Sequence, residues 1–125
     1  MTPRTQKYLH DMAEACHRIL AFTADATWEH YQANELLRSA VERQFEILGE
    51  AANRLRDAAP DEFASLPEAP AIVGLRNRLA HGYDIIEDAI IWSIVQEKIR
   101  PLLECLQSLL PKPTSSDSFM KDLNP

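Results

Sequence analysis

Glycine is scarce in this chain of 125 residues, with three in all, whereas Ala, Leu, Glu and Arg are common, and this balance favours helix over sheet. No apolar run approaches the ~18 residues of a membrane span. The N-terminus lacks the apolar segment of a signal peptide. Cys16 and Cys105 form neither a CxxC pair nor part of a histidine cluster, so we expect two buried thiols in a reducing cytoplasm. These absences leave a single cytoplasmic helical domain as the expected class.

Positive charge is also in deficit, because 13 Lys and Arg face 19 Asp and Glu, for a net charge of −6. Such a balance argues against a protein that coats nucleic acid through bulk electrostatics, since cations drive phosphate binding. It leaves room for a local basic site, and Arg76 and Arg78 lie beside His81. Any RNA binding is therefore expected to be local and salt-sensitive, and the acidic remainder would suit a cationic protein partner.

Apolar residues recur at helical spacing and predict an all-α, up-and-down bundle of four to five helices. The predicted helices cover approximately residues 2–24, 31–58, 69–81 and 84–110, with one short turn at 61–65 and a kink or restart at Pro101. Gly49 lies inside the second helix, where a close helix–helix crossing is the simplest reason to tolerate it. The wide apolar stripe of that helix can face both its own core and a second subunit. Residues 1–111 form the predicted domain, and residues 112–125 have the composition of a disordered tail.

The most informative segment is Arg-Asn-Arg-Leu-Ala-His-Gly-Tyr, which begins at Arg76 and fits the pattern R-x4-H-x-Y. Arginine binds phosphate with two parallel hydrogen bonds, and histidine exchanges a proton near neutral pH. RNA carries its own nucleophile, the ribose 2′-hydroxyl. Arg76 and His81 are therefore candidate catalytic residues for cutting RNA without a metal, and Arg78 could steer the substrate.

The spacing of these residues leaves their cooperation open. Asn77 and His81 are four apart and share a helix face, so Asn77 could fix the His81 tautomer. Arg76 and His81 are five apart and diverge by roughly 140°, so they meet on one phosphate only if the helix ends near His81 or the RNA spans both faces. Gly82 favours such an end. The alternative is a solvated helix C-terminus, where cations suit the helix dipole. One histidine per chain leaves a second proton-transfer role open, and a homodimer would bring two sites together.

The segment resembles the motif of HEPN-superfamily ribonucleases, and Gly82 with Tyr83 narrows the resemblance to HepT-like toxins. Residues 39–51, 73–83 and 91–92 also resemble that family, and the similarity covers about residues 5–110. It implies a HEPN-type helical homodimer with no cofactor that acts as a metal-independent endoribonuclease toxin. It also implies a MntA-like minimal nucleotidyltransferase as the antitoxin. In this family that partner can add AMP to the motif tyrosine, here Tyr83, which would block RNA by charge and bulk.

Two other functions remain open from the sequence. The chain could be a non-catalytic HEPN module that binds nucleotide or regulates a nucleotidyltransferase partner, or a plain helical dimerisation protein.

Three further clusters are interpreted as follows. The face with His10, Glu14 and His17 is favoured as solvated over metal-binding. The stripe of Glu42, Glu46 and Glu50 is either solvated or an acidic wall that positions Arg76 or Arg78 across a dimer cleft. The aromatic residues Trp28, Tyr31 and Trp92 are expected in the core or an interface.

Overall fold

The computed structural model describes residues 1–81 and 86–111, and within these ranges the only regular secondary structure is helix. The seven helices are α1 (Pro3–Thr23), α2 (Trp28–Ala33), α3 (Glu35–Ala58), α4 (Pro60–Ser65), α5 (Ala69–His81), α6 (Asp88–Glu97) and α7 (Ile99–Leu109). The all-α prediction is confirmed, and the helices outnumber the predicted four to five because two long predicted helices are each divided. The predicted tail at 112–125 lies outside the described residues.

The first helix begins and ends where its sequence predicts. The Thr2 hydroxyl accepts a hydrogen bond from the Thr5 amide at 3.1 Å, and Pro3 occupies the first turn. A hydroxyl at this position satisfies an amide that has no partner inside the helix, and proline loses nothing there because its missing N–H would be unpaired anyway.

The prediction of one helix from about residue 31 to 58 is wrong at its start, because the helix is interrupted at Asn34. This residue is extended (φ −107°, ψ 97°), and its side-chain oxygen accepts from the Leu37 amide at 3.0 Å to cap α3. Its own amide donates to the Tyr31 carbonyl and closes α2. The Thr27 hydroxyl caps α2 by accepting a hydrogen bond from the His30 amide at 3.1 Å. Asparagine offers its side chain as an alternative to the continuing helix, and here that local competition divides the helix.

A second division separates α6 from α7 at Lys98, three residues before Pro101. Proline has no amide to donate to the carbonyl of Glu97, and its ring would clash there, so the helix restarts with Pro101 in the first turn of α7. At the other end, α6 begins at Asp88 after Glu87, which makes no side-chain capping hydrogen bond. The sequence leaves the start of this helix open between Asp84 and Asp88, and the structure begins it at Asp88, whereas Asp84 lies outside the described residues.

Helix α3 occupies the centre of the bundle, packing chiefly against α1 and α5, while α7 covers α1 and α6. The largest fully buried side chains come from several of these helices and include Leu9, Met12, Tyr31, Phe45, Leu48, Ile91 and Leu106. The predicted place of the aromatic residues in the core is confirmed for Tyr31, which is fully buried and stacks on Trp92 with centroids 5.1 Å apart. Trp28 and Trp92 are partly buried and pack against that core. None of the described helices is both long and apolar enough to cross a membrane.

The two cysteines differ in burial. Cys16 is fully buried, as predicted, and burial raises the pKa of its thiol to about 12. The prediction is wrong for Cys105, which is only half-buried and whose Sγ donates to the Ser65 carbonyl at 3.6 Å. Cys105 is covered in part by the end of the short helix α4, at Ser65.

Candidate active site

The site begins at the crossing of α3 and α5, where Gly49 is buried against Arg76. A Cβ atom built on Gly49 would lie 2.1 Å from Cβ of Arg76 and 3.1 Å from the carbonyl oxygen of Ile72. Carbon atoms that are not bonded pack at about 3.5–4.0 Å, so no other residue fits between these helices as they stand. The predicted close crossing at Gly49 is confirmed, and it places the stem of Arg76 directly on the backbone of α3.

The guanidinium of Arg76 is held at two points. Its Nη2 pairs with Oε2 of Glu50 at 2.5 Å, and its Nη1 donates to Oδ1 of Asn77 at 2.9 Å. The Arg76 side chain is 28% exposed and lines a groove, so it is partly open to a ligand. Oε1 of Glu50 also accepts from Nε of Arg54 at 3.0 Å, so one carboxylate serves two arginines.

This ion pair corrects the interpretation of the acidic stripe. The sharper hypothesis gave Glu42, Glu46 and Glu50 the task of positioning an arginine across a dimer cleft. Instead Glu50 pairs with Arg76 of the same chain. Glu50 lies next to Gly49, so the close crossing delivers the arginine to the adjacent carboxylate. The second subunit is therefore not needed to hold Arg76.

The other motif residues lie on the last turns of α5. Asn77, Arg78 and His81 are exposed, and His81 is the final residue of the helix. His81 lies about 7.5 Å further along the axis than Arg76 by the rise of an α-helix. The Asn77 oxygen is engaged by Arg76, and its predicted role in fixing the His81 tautomer stays a prediction. Gly82 and Tyr83 lie outside the described residues.

Arg76 lines a groove of about 830 Å³ between α1, α3 and α5. We call it the α1–α3–α5 groove. Its basic side chains are Arg4, Lys7, Arg18, Arg43, Arg54 and Arg76. Our sequence reasoning missed this groove, although residues 4, 7 and 18 share one face of α1 at 100° per residue. That face was detectable, but its position beside the motif depends on how α1 docks.

No three His, Cys, Asp or Glu side chains converge as metal ligands in the part of the chain that the structure describes. On the face of α1 where a metal site was weighed, Nε2 of His10 lies 3.9 Å from Oε2 of Glu14. Both side chains are exposed, which fits the solvated face favoured from sequence.

The family model described as ribonuclease HepT-like matches residues 12–109, which is most of the chain. The chain belongs to the HepT-like ribonuclease family. The match covers α3, the crossing at Gly49 and the whole motif helix α5, whereas Arg4 and Lys7 of the groove precede it.

Relatives in this family come from archaea and bacteria. A protein of Methanocaldococcus jannaschii, provisionally named an RNase, is 34% identical over 92 residues, covering 74% of this chain and 84% of the relative. A protein of Thermococcus cleftensis, provisionally named ribonuclease HepT, is 34% identical over 98 residues, covering 76% and 86%. A third, from Caldanaerobacter subterraneus subsp. tengcongensis and also provisionally named an RNase, is 27% identical over 111 residues, covering 89% and 96%. No solved structure gives a significant match.

Proposed function

We propose that this HepT-like chain is a metal-independent endoribonuclease toxin that cleaves RNA with Arg76 and His81. The observation that carries the proposal is the position of the motif arginine. Gly49 and Glu50 fix Arg76 in the wall of a basic groove, and the exposed His81 lies at the end of the same helix. A solvated helix C-terminus alone gives no reason for such a close crossing beneath Arg76.

The proposed reaction is a transesterification within the RNA. The ribose 2′-oxygen attacks phosphorus, the bond from phosphorus to the 5′-oxygen breaks, and the products are a 2′,3′-cyclic phosphate and a 5′-hydroxyl. His81 takes the 2′-hydroxyl proton or supplies the proton to the leaving oxygen, a contribution typically worth ~10²–10⁴ in rate. Arg76 stabilises the negative charge that develops on the pentavalent phosphate. Arg78 steers substrate, and Asn77 supports the pair. No cofactor takes part.

A homodimer completes this scheme. Each chain brings one motif histidine, whereas the reaction needs one group to accept a proton and another to donate one. His81 lies exposed at the end of α5, where a second copy can approach it. The dimer that the family implies would set two copies of the motif in one cleft.

The proposed control is modification of Tyr83, two residues beyond His81. A MntA-like nucleotidyltransferase antitoxin would transfer AMP to its hydroxyl. The added phosphate and nucleoside would lie near Arg76 and His81, so their negative charge and volume would exclude the RNA backbone.

The test is cleavage of total tRNA and mRNA by purified protein in EDTA, comparing wild type with His81→Ala. The matched control is His17→Ala, because His17 is an exposed histidine on α1 outside the α1–α3–α5 groove. We expect wild type and His17→Ala to cleave equally and to leave cyclic phosphate ends, with His81→Ala slower by at least ~10².

If His81→Ala cleaves RNA at the wild-type rate and its circular dichroism spectrum is unchanged, the mechanism is contradicted. Absence of cleavage by wild type, when mass spectrometry shows Tyr83 unmodified and the protein is folded, would favour a non-catalytic HEPN module that regulates a nucleotidyltransferase.

A further inference from the structure

The α1–α3–α5 groove has a charge opposite to that of the chain as a whole. Six Lys and Arg side chains line it, against four carboxylates, those of Asp11, Glu14, Glu46 and Glu50. It therefore carries a surplus of two positive charges on a protein of net charge −6. Since cations drive phosphate binding, this contrast singles out the groove as the place where a polyanion is attracted.

We propose that the α1–α3–α5 groove binds the backbone of a single RNA strand on one side of the phosphate to be cleaved. The inference rests on the proposed function, because it takes Arg76 as the residue at the scissile phosphate. Arg4 and Lys7 on α1 bind neighbouring phosphates, and the groove leads the strand to Arg76 on α5.

The geometry of α1 suits an extended ligand. The basic residues that it contributes, Arg4, Lys7 and Arg18, lie within about 60° of one another around the helix. From the first to the last they span about 21 Å of helix axis. Arginines of α3 line the groove together with them. Asp11 and Glu14 lie between Lys7 and Arg18 on this face, so its cations stand at separate points along the groove. Cations spaced in this way can contact successive phosphates of one strand, whereas a compact cluster would bind one isolated phosphate.

The ion pairs inside the groove orient its cations without closing it. Lys7 pairs with Asp11 at 2.9 Å, and Arg43 pairs with Glu46 at 3.3 Å. These are exposed pairs within one helix, which contribute little to stability, so an incoming phosphate can replace the carboxylate at small cost. Phosphate also makes charge-assisted, bidentate hydrogen bonds with arginine. Arg4 makes no ion pair with any described residue and is the cation most ready to bind.

An aromatic ring in the groove favours a single strand over a duplex. Tyr8 follows Lys7 on α1, is half-buried and lines the groove. Proteins that bind single strands without sequence preference combine a basic groove with an aromatic side chain on which a base stacks. Contacts to phosphate position a strand but carry no sequence information, so this groove sets affinity and register.

The test measures binding of a 2′-O-methyl RNA oligonucleotide, which lacks the nucleophile, by fluorescence anisotropy across a range of salt. The double variant Arg4→Gln/Lys7→Gln is compared with Lys98→Gln/Arg100→Gln. The control residues are exposed cations outside the groove, and each pair removes two positive charges. We expect the groove variant to bind at least about tenfold more weakly, with a salt slope lower by about 1.4, since each single-strand contact contributes about 0.7. Its KM for RNA cleavage should rise more than its kcat falls, and the control should match wild type.

If RNA binding weakens equally in both double variants, the effect comes from the net charge of the protein, and the groove proposal is refuted. Unchanged RNA binding by the groove variant, with a shift from dimer to monomer in sedimentation, would identify the groove as a protein interface and also overturn it. The two proposals fail separately. If wild type cleaves RNA but the groove variant binds RNA as tightly as wild type, only the groove proposal is refuted. If the groove variant binds RNA more weakly but wild type does not cleave it, only the proposed nuclease activity is refuted.

Discussion

Gly49→Ala is the substitution that tests most directly how the fold positions the site. The added Cβ would lie 2.1 Å from Cβ of Arg76. Restoring a contact of about 3.5 Å requires α3 and α5 to separate by about 1.4 Å. Overpacking of this kind costs roughly 1–3 kcal/mol. Alanine recovers ~1 kcal/mol of helix propensity relative to glycine. We expect a net loss of up to about 2 kcal/mol in the free energy of unfolding.

The activity should fall by more than the stability suggests. Arg76 lies at the contact and must move with α5, and a misplacement of about 1 Å can cost ~10² in rate. Cleavage by folded Gly49→Ala is therefore expected to be about a hundredfold slower, at a temperature where the variant and wild type are both fully folded.

Gly74→Ala is the matched control, because Gly74 lies on α5 two residues before Arg76 and a Cβ there would meet nothing within 4 Å. The same chemical change should raise the free energy of unfolding by roughly 0.5–1 kcal/mol and leave cleavage unchanged. Thermal unfolding followed by circular dichroism, with cleavage rates on the same preparations, checks both variants. If Gly49→Ala unfolds at the same temperature as Gly74→Ala, or cleaves at the wild-type rate, the crossing does not position Arg76.

Three further predictions concern single side chains. Glu50→Gln removes one negative charge from the groove, so KM for RNA should fall. It also removes the carboxylate that holds Arg76, so kcat should drop by about tenfold, the equivalent of one charged hydrogen bond. Parallel changes in KM and kcat would contradict this prediction. Burial raises the pKa of the Glu42 carboxyl, so the folded state loses stability as pH rises through that pKa. Glu42→Gln should therefore raise Tm at pH 7, and the gain should shrink as pH falls towards the ordinary carboxyl pKa; a pH-independent gain would exclude burial as the cause. Cys16, buried and with its thiol pKa raised to about 12, should resist iodoacetamide at pH 8 until the chain unfolds, whereas Cys105 reacts in the native state; equal labelling by peptide mapping would refute the burial.

Features that depend on one helix were predictable from the sequence. The bounds of α5, Ala69–His81, match the prediction because an apolar stripe and a following glycine mark them locally. The Gly49 crossing followed from the cost of glycine in a helix, which needs a local reason. The break at Asn34 was missed because the apolar periodicity continues on both sides of it, and a side-chain cap interrupts a helix without changing that pattern.

Features that depend on two helices were not predictable in the same way. Glu50 and Arg76 are 26 positions apart, and spacing along one helix carries no information about a partner on another. The acidic stripe was noticed and an arginine named as its partner, but the sequence could not decide which chain supplied it. The α1–α3–α5 groove was missed for the same reason, since its cations come from three helices and converge only after docking.

The adjacent residues Gly49 and Glu50 fix Arg76 by different physical means. Both lie on α3, so the motif on α5 depends on a helix that is distant from it in the sequence. Gly49 removes the side chain that would keep α5 away, and Glu50 supplies the charge that orients the guanidinium. An arginine already paired with a carboxylate has lost water from that side and has few rotamers left to lose. A phosphate that replaces or joins the carboxylate then meets a donor already aimed at an anion, so little ordering remains to be done when RNA binds. This preorganisation is complete within one chain, so the proposed dimer would need to contribute only the second histidine.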